Sequence, residues 1–445
     1  MNSEMQLDLL HDDPRKLFFK YLIPSISATM VTSIYLLADS IMIGKGLGEI
    51  AIAALNLVLP LFNILFGTGA LFGVGGGVLF SVAMGNHDPE RAKRYFTLAV
   101  LLNGSFMLLY QLCGIFLLKP ILYLLGASET TMPDAYAYTR CIVLGVPCFT
   151  FSTFLQSFIR NDKAPRLAMV AVIAGGITNI VLDWIFIFPL GWGMAGAAIA
   201  SVLGVSLTCL ILCTHFFHRE NNLTLLRQRL RRRYAAEIFQ YGFSSFFMEI
   251  SGGIVIFVLN LQALHYAGDL GVTVYSILTN SAYMIIALSN GIAQAAQPLV
   301  AINFGARQQE RIQQIKHYGL RTATIEGGLF TLCGLLAPLL VVYIFINPTE
   351  QILQMAPLAV RLYFLAFISV ALNMFYITYF QAILQPSKAL LICALRGVGL
   401  GIPLAYVLPH IWGIAGLWLA IPVAETITLL VALLLDKQNR MKKTV

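Results

Sequence analysis

Apolar residues run along this chain in long blocks, each interrupted by a short cluster of charged, glycine or proline residues. The blocks fall at 17–44, 50–84, 95–118, 135–159, 167–189 and 194–217. After a basic break they resume at 237–266, 272–304, 315–346, 352–384, 389–408 and 413–435. Each holds the roughly 20 apolar residues that a helix needs to cross a hydrocarbon core. Several are longer, which implies tilt or protruding ends. The pattern predicts an all-α membrane protein with twelve transmembrane helices.

The halves repeat. Gly85-Asn-His-Asp-Pro-Glu-Arg-Ala-Lys93 matches Gly305-Ala-Arg-Gln-Gln-Glu-Arg-Ile-Gln313, and Trp192-Gly-Met-Ala-Gly196 matches Trp412-Gly-Ile-Ala-Gly416, both at an offset of 220. Phe154-Leu-Gln156 with Lys163-Ala164 pairs with Tyr379-Phe-Gln381 with Lys388-Ala389 at an offset of 225. Six spans separate the copies, so both halves enter the membrane from the same side. Parallel six-helix lobes of this kind place a solute site at their interface. The expected organisation is an amino-terminal lobe over 1–217, a basic cytoplasmic linker over 218–236 and a carboxy-terminal lobe over 237–445.

Charge fixes the orientation. Of 29 lysines and arginines, all but Lys45, Lys119, Arg140 and Arg361 fall on one side of the twelve-span scheme, which the positive-inside rule makes cytoplasmic. Both termini then lie inside. The net charge of +8 reads as a topology signal and a contact for anionic lipid, with Arg227, Arg229, Arg231, Arg232 and Arg233 at its centre; no nucleic-acid partner is expected. Composition agrees: 58% of residues are hydrophobic and 11% charged, against about 25% charged in soluble domains. The seven cysteines sit in apolar stretches without a C-x-x-C or Cys/His pattern, so they read as small packing residues. The acidic start of the chain lacks a cleavable leader pattern. Gly73-Val-Gly-Gly-Gly77 lacks the lysine and hydroxyl of a phosphate loop and predicts close helix packing. His215 and His218 are expected at the interface, and Trp184, Trp192, Trp412 and Trp418 in an aromatic belt.

The chemistry lies in charges that should not be in a membrane. A charged side chain at mid-bilayer costs about 2.5–3.5 kcal/mol even on insertion scales. Asp39, Asp183, Glu249 and Glu425 are the principal cases, with Glu326, Arg361 and Arg396 behind them. At a rise of about 1.5 Å per residue, Asp39, Asp183 and Ser201 each lie about 9 Å from the outer ends of spans one, five and six. Tyr35 and Asn179 precede the two aspartates by four residues and share their helix faces. Two carboxylates, an amide, a phenol and a hydroxyl can hold a shared proton or bind Na⁺, or can simply tie three helices together. Glu249 and Glu425, both near the midplane, can each face a central cavity and attract a cationic solute; Glu425 can instead pair with Arg396.

These stretches together resemble the multidrug and toxic compound extrusion (MATE) family. The carrying segments are Leu36-Leu-Ala-Asp-Ser-Ile-Met-Ile-Gly44, Asn179-Ile-Val-Leu-Asp-Trp-Ile-Phe-Ile187, Gly191-Trp-Gly-Met-Ala-Gly-Ala-Ala198, Gly291-Ile-Ala-Gln-Ala-Ala-Gln-Pro298 and Asn303-Phe-Gly-Ala306. The resemblance spans essentially the whole chain and implies a V-shaped cleft between two lobes, with efflux of amphipathic, cationic organic solutes by H⁺ or Na⁺ antiport. It implies no cofactor and no catalysis. It assigns Asp39 and Asp183 to the coupling-cation site, with Asn179, Tyr35 and Ser201 as polar neighbours. It matches Glu249 to the acidic residue of span seven used by another branch, which also has an acid in span ten, where this chain offers only Asn373, Tyr376 and Tyr379; the expected cation site is therefore in the amino-terminal lobe. Glu249 and Gln156 are expected in the substrate cavity, although relatives often carry asparagine where Gln156 stands. A monomer in the plasma membrane is expected. A lipid-linked precursor flippase would share the architecture but needs arginines for pyrophosphate, and an ion channel needs a ring of polar groups.

Overall fold

The computed structural model describes residues 8–227 and 232–444, with the side chains of 440–444 excluded; Arg229 and Arg231 of the basic linker run, and the side chains of Arg440, Lys442 and Lys443, lie outside the described residues. Among those described there are helices and turns and no strand. The first lobe is built from α1 (Pro14–Leu47), α2 (Glu49–Gly85), α3 (Pro89–Leu124), α4 (Met132–Asn161), α5 (Pro165–Ile187) and α6 (Gly193–Cys213). Local sequence sets their starts. Asp13 and Asp88 accept from the Arg15 and Arg91 amides at 2.8 and 3.0 Å, and each is followed by proline at the first helical position, where the missing N–H costs nothing.

The second lobe begins with α7 (Arg232–Gly305), whose 74 residues would extend about 110 Å if straight. It breaks instead at Ala267–Gly268, where Gly268 takes φ +58°, a conformation favouring glycine. Its two arms are spans seven and eight. Span nine is α8 (Gln309–Leu336) with α9 (Pro338–Phe345), bent by 93°. Span ten joins α10 (Glu350–Phe364) and α11 (Phe367–Ala382). Span eleven runs from α12 (Pro386–Ala394) through one π-helical turn, Leu395–Gly399, into α13 (Gly401–Trp412), and α14 (Ile414–Thr444) is span twelve. The twelve predicted spans are therefore present, several of them broken.

The repeat reaches down to backbone geometry. His87 and Arg307, at the predicted offset of 220, both take φ 58°. The ends of spans four and ten follow a different register from the one expected. α4 and α11 end at Asn161 and Ala382, with left-handed Lys163 and Leu384 beyond them. The structural offset there is 221, so Lys163 is matched by Leu384 rather than by Lys388. Short motifs of common residues misplaced the pairing by four positions.

The lobes meet through α2 against both arms of α7, and through α1 against α7 and α8. The contact is closest near the face that carries Arg15, Arg91, Arg307 and Arg311, hereafter the basic face. There a Cβ on Gly75 would fall 2.3 Å from the Ile238 carbonyl oxygen, and one on Gly242 1.8 Å from that of Leu71. The glycine run 73–77 is thus a packing surface, as expected: Gly73 and Gly76 admit Phe154 and Phe158 of α4. One apolar cluster, including Leu9, Phe18, Val82, Leu299, Ile312 and Phe380, crosses the lobe boundary at this end. Trp184, Trp192 and Trp412 are about half exposed, whereas Trp418 is 2% exposed and packs in the second lobe's core. The belt therefore excludes Trp418, which turns inward from α14. His215 is likewise buried: it bonds Asp162 at 2.8 Å, and Asp162 also accepts from Asn222. This bond docks the segment after α6 onto the first lobe.

Candidate functional site

α5 and α6 approach unusually closely. A Cβ on Gly175 would lie 2.5 Å from the Gly204 carbonyl oxygen, and one on Gly204 2.8 Å from the Asn179 Cβ. Small residues permit such contact in a membrane, where dispersion and hydrogen bonds must replace the hydrophobic effect. Thr208 fastens the crossing by donating to the Ala171 and Gly204 carbonyls at 3.3 and 3.1 Å. The result seats Asn179 against α6, where its Nδ2 donates to Ser201 Oγ at 3.3 Å. On the other side of α5, Gly176 leaves room for Tyr35 of α1.

This packing brings the predicted group together. Asp39 is 6% exposed and Asp183 0%, and their carboxyls lie within hydrogen-bonding reach of each other. Tyr35 stands beside Asp39. A residue not singled out from the sequence joins them: Tyr138 of α4, 1% exposed, within reach of Ser201 and beside both aspartates and Tyr35. Its signal was available, because it lies six residues beyond Met132 at the start of α4, about 9 Å deep, level with the others.

Among the described residues, four buried oxygens here have no hydrogen-bond partner: Asp39 Oδ1, Asn179 Oδ1 and both carboxyl oxygens of Asp183. A buried acceptor left unpaired costs about 1–3 kcal/mol, and more when charged. Two adjacent carboxylates without a basic partner need either a proton or a cation. The donor set is hard oxygen throughout, which suits a proton or Na⁺ and not a soft metal. Among the described residues no cluster of three or more His, Cys, Asp or Glu side chains forms a metal site.

The second lobe's acids are arranged differently. Glu425 Oε1 accepts from Arg396 Nε and Nη2 at 2.9 and 2.8 Å, and its Oε2 from Asn373 Nδ2 at 2.7 Å. Arg396 reaches it from the π-helical turn. Glu425 is thus paired with the partner available to it, Arg396. Glu326, 9% exposed, is met by Ser289 Oγ at 3.0 Å. Tyr376 and Tyr379 of α11 lie under the Lys316 ammonium, 5.5 and 4.7 Å from ring centroid to nitrogen.

Glu249 has no hydrogen-bond partner among the described residues. It is half-buried on α7, facing α2 at the lobe boundary, where a Cβ on Gly67 would touch its own Cβ at 3.5 Å. One turn further, Gly253 admits the amide of Asn63. Gln156 Nε2 donates to Ser152 Oγ at 3.1 Å within α4 and is not joined to the aspartate cluster by any described bond.

Comparison with known proteins bears on the family and the fold. The MatE family model matches residues 24–185 and 244–407, one copy in each lobe. A "Multidrug export protein MepA" from Staphylococcus saprophyticus is 27% identical over 95% of this chain and 93% of its own. A transporter of the MOP superfamily from Pyrococcus furiosus, described as having a binding pocket of reversed polarity, superimposes with a TM-score of 0.89 at 24% identity, covering 99% and 98% of the two chains. A multidrug resistance MATE family transporter in an outward-facing conformation gives 0.91 at 24% identity, with the same coverage.

Proposed function

Since the chain belongs to the MatE family, the multidrug and toxic compound extrusion transporters, we propose that it expels amphipathic organic cations by antiport against protons or Na⁺. In this reading the basic face is cytoplasmic, both termini lie inside, and the monomer resides in the cell membrane. Lobes closed at the basic face then correspond to an outward-facing state. The observation that carries the reading is the set of unpaired oxygens on Asp39, Asn179 and Asp183, a site that needs an ion to be stable.

Asp39 and Asp183 take the coupling ion. A proton is favoured over Na⁺, because a carboxyl pair shares one proton without requiring a full ligand cage. Tyr35, Asn179, Ser201 and Tyr138 adjust their hydrogen bonds around the ion as it binds. The ion stabilises one arrangement of the lobe and the solute the other, so each ligand favours release of its competitor. Glu249, unpaired at the lobe boundary, draws the solute's positive charge into the cleft, and Gln156 lines the same space.

A flippase for pyrophosphate-linked lipid fits less well. Such a cavity needs free arginines, whereas Arg396 is committed to Glu425 and Arg361 is exposed. The deciding experiment is efflux of a fluorescent organic cation by purified protein in liposomes under an imposed pH gradient or an imposed Na⁺ gradient. Efflux driven by one of them is expected; efflux driven by neither overturns the antiport reading.

A further inference from the structure

Two arginines at equivalent places in the repeat, Arg91 and Arg311, both work at the seam between the lobes on the basic face. Arg311, in the first turn of α8, reaches back to the segment preceding α1: its Nη2 donates to the Leu9 and Asp12 carbonyl oxygens at 3.2 and 2.6 Å. Its Nε donates to Asn303 Oδ1 at 3.0 Å, and Asn303 Nδ2 donates to the same Leu9 carbonyl at 3.2 Å. The segment is shaped for this contact. Asp8 Oδ1 accepts from the Leu10 and His11 amides at 2.9 and 3.2 Å, a turn that leaves the Leu9 carbonyl facing the second lobe. The Leu9 side chain is 1% exposed, inside the apolar cluster that crosses the boundary.

Arg91 does the corresponding work from the first lobe. Its Nη2 and Nε donate to Tyr95 Oη at 3.0 and 3.3 Å, and Tyr95 Oη donates to Glu237 Oε2 at 2.6 Å. Glu237 lies in the opening turns of α7, the first helix of the second lobe. Each lobe thus holds the entry of the other lobe's first helix.

We propose that Arg311 and Arg91 are paired latches that keep the lobes shut at the basic face, and that opening towards this face requires the segment 8–13 to leave Arg311 and Asn303. The Arg311 latch is the stronger of the two. A guanidinium presents several fixed donors, so it binds two carbonyls and the Asn303 amide oxygen together, which an ammonium does poorly. Its contacts are also to backbone, so no side-chain change in the segment replaces them. The inference concerns which way the lobes open and holds whatever the coupling ion or solute.

The test is a distance measurement on the full chain in proteoliposomes, with spin labels on unnatural residues at positions 90 and 313, exposed sites on the two lobes. Wild type is expected to show a dominant short distance. Arg311→Gln should raise the population at longer distance by roughly tenfold, the effect of losing charge-assisted hydrogen bonds. Leu9→Ser, which unseats the segment without touching the arginine, should move the distribution the same way, Arg91→Gln less so. Arg311→Lys should restore part of the short-distance population. An unchanged distribution in both Arg311→Gln and Leu9→Ser overturns the proposal. A lowered melting temperature with no change in distance also overturns it, because that result assigns these residues to stability alone.

Discussion

Gly85 and Gly305 meet backbone to backbone across the lobe boundary: a Cβ on Gly305 would lie 3.1 Å from the Gly85 Cα and 2.1 Å from the Val82 carbonyl oxygen. The reciprocal contact is equally tight, with a Cβ on Gly85 2.0 Å from the Ile302 carbonyl oxygen. The pseudo-two-fold axis therefore passes between these residues, which are each other's counterparts in the repeat. Gly305→Val must push α2 and α7 apart, at a cost of about 1–3 kcal/mol. A membrane-impermeant thiol reagent applied from the basic face should then label a cysteine placed at Val82, which is protected in the parent. Continued protection would show that the seam tolerates a side chain.

Among the described residues Glu249 has no hydrogen-bond partner at the lobe boundary. Glu249→Gln removes its charge and keeps its shape, so transport of cationic solutes should fall by roughly tenfold while neutral solutes change little. Competition assays with a matched cationic and neutral pair read the difference. Equal losses for both would place Glu249 in coupling or folding.

Much of this was legible in the sequence, and the exceptions have physical causes. Span count, lobe repeat and the depth of Asp39, Asp183 and Ser201 follow from hydropathy, charge and helical rise, which depend on composition more than on packing. The breaks inside spans nine, ten and eleven were not legible, because a bent pair such as α8 and α9 is as apolar as a straight helix. Tyr138 was missed for another reason. A tyrosine in a membrane span carries no charge to attract notice, and only the packing of α4 against α5 and α6 makes it part of the site. Trp418 was misplaced because residue type indicates a preference for the interface, whereas helix rotation decides what a side chain meets.

Arg396 and Glu425 form a buried pair, side chains 13% and 5% exposed, and such pairs are costly to break from one side. Arg396→Met should lower stability by about 3–5 kcal/mol by leaving Glu425 uncompensated. Adding Glu425→Gln to that variant should recover much of the loss, and thermal unfolding in detergent measures both. If the double variant is no more stable than Arg396→Met, the pair is not the source of the stability.

Asp39 and Asp183 decide the proposed mechanism. They share one site with Asn179, Ser201, Tyr35 and Tyr138, yet the described residues supply no positive charge there and leave four oxygens without a donor. Asp183→Asn keeps the shape and removes one of the two carboxylates, so the site binds its ion less tightly. Efflux driven by the gradient should fall by roughly 10- to 100-fold, the usual range of a lost coupling free energy, while equilibrium binding of the solute persists. Asp39→Asn should behave alike, and the double variant little worse than either, since both residues serve one ion. The two ions separate at this point. With proton coupling, parent protein should release protons into weakly buffered medium when solute binds, and each single variant should release fewer. With Na⁺ coupling, solute binding should instead displace Na⁺ and leave the proton count unchanged. A purified, monodisperse Asp183→Asn that retains parental efflux under the driving gradient would remove Asp183 from the coupling site.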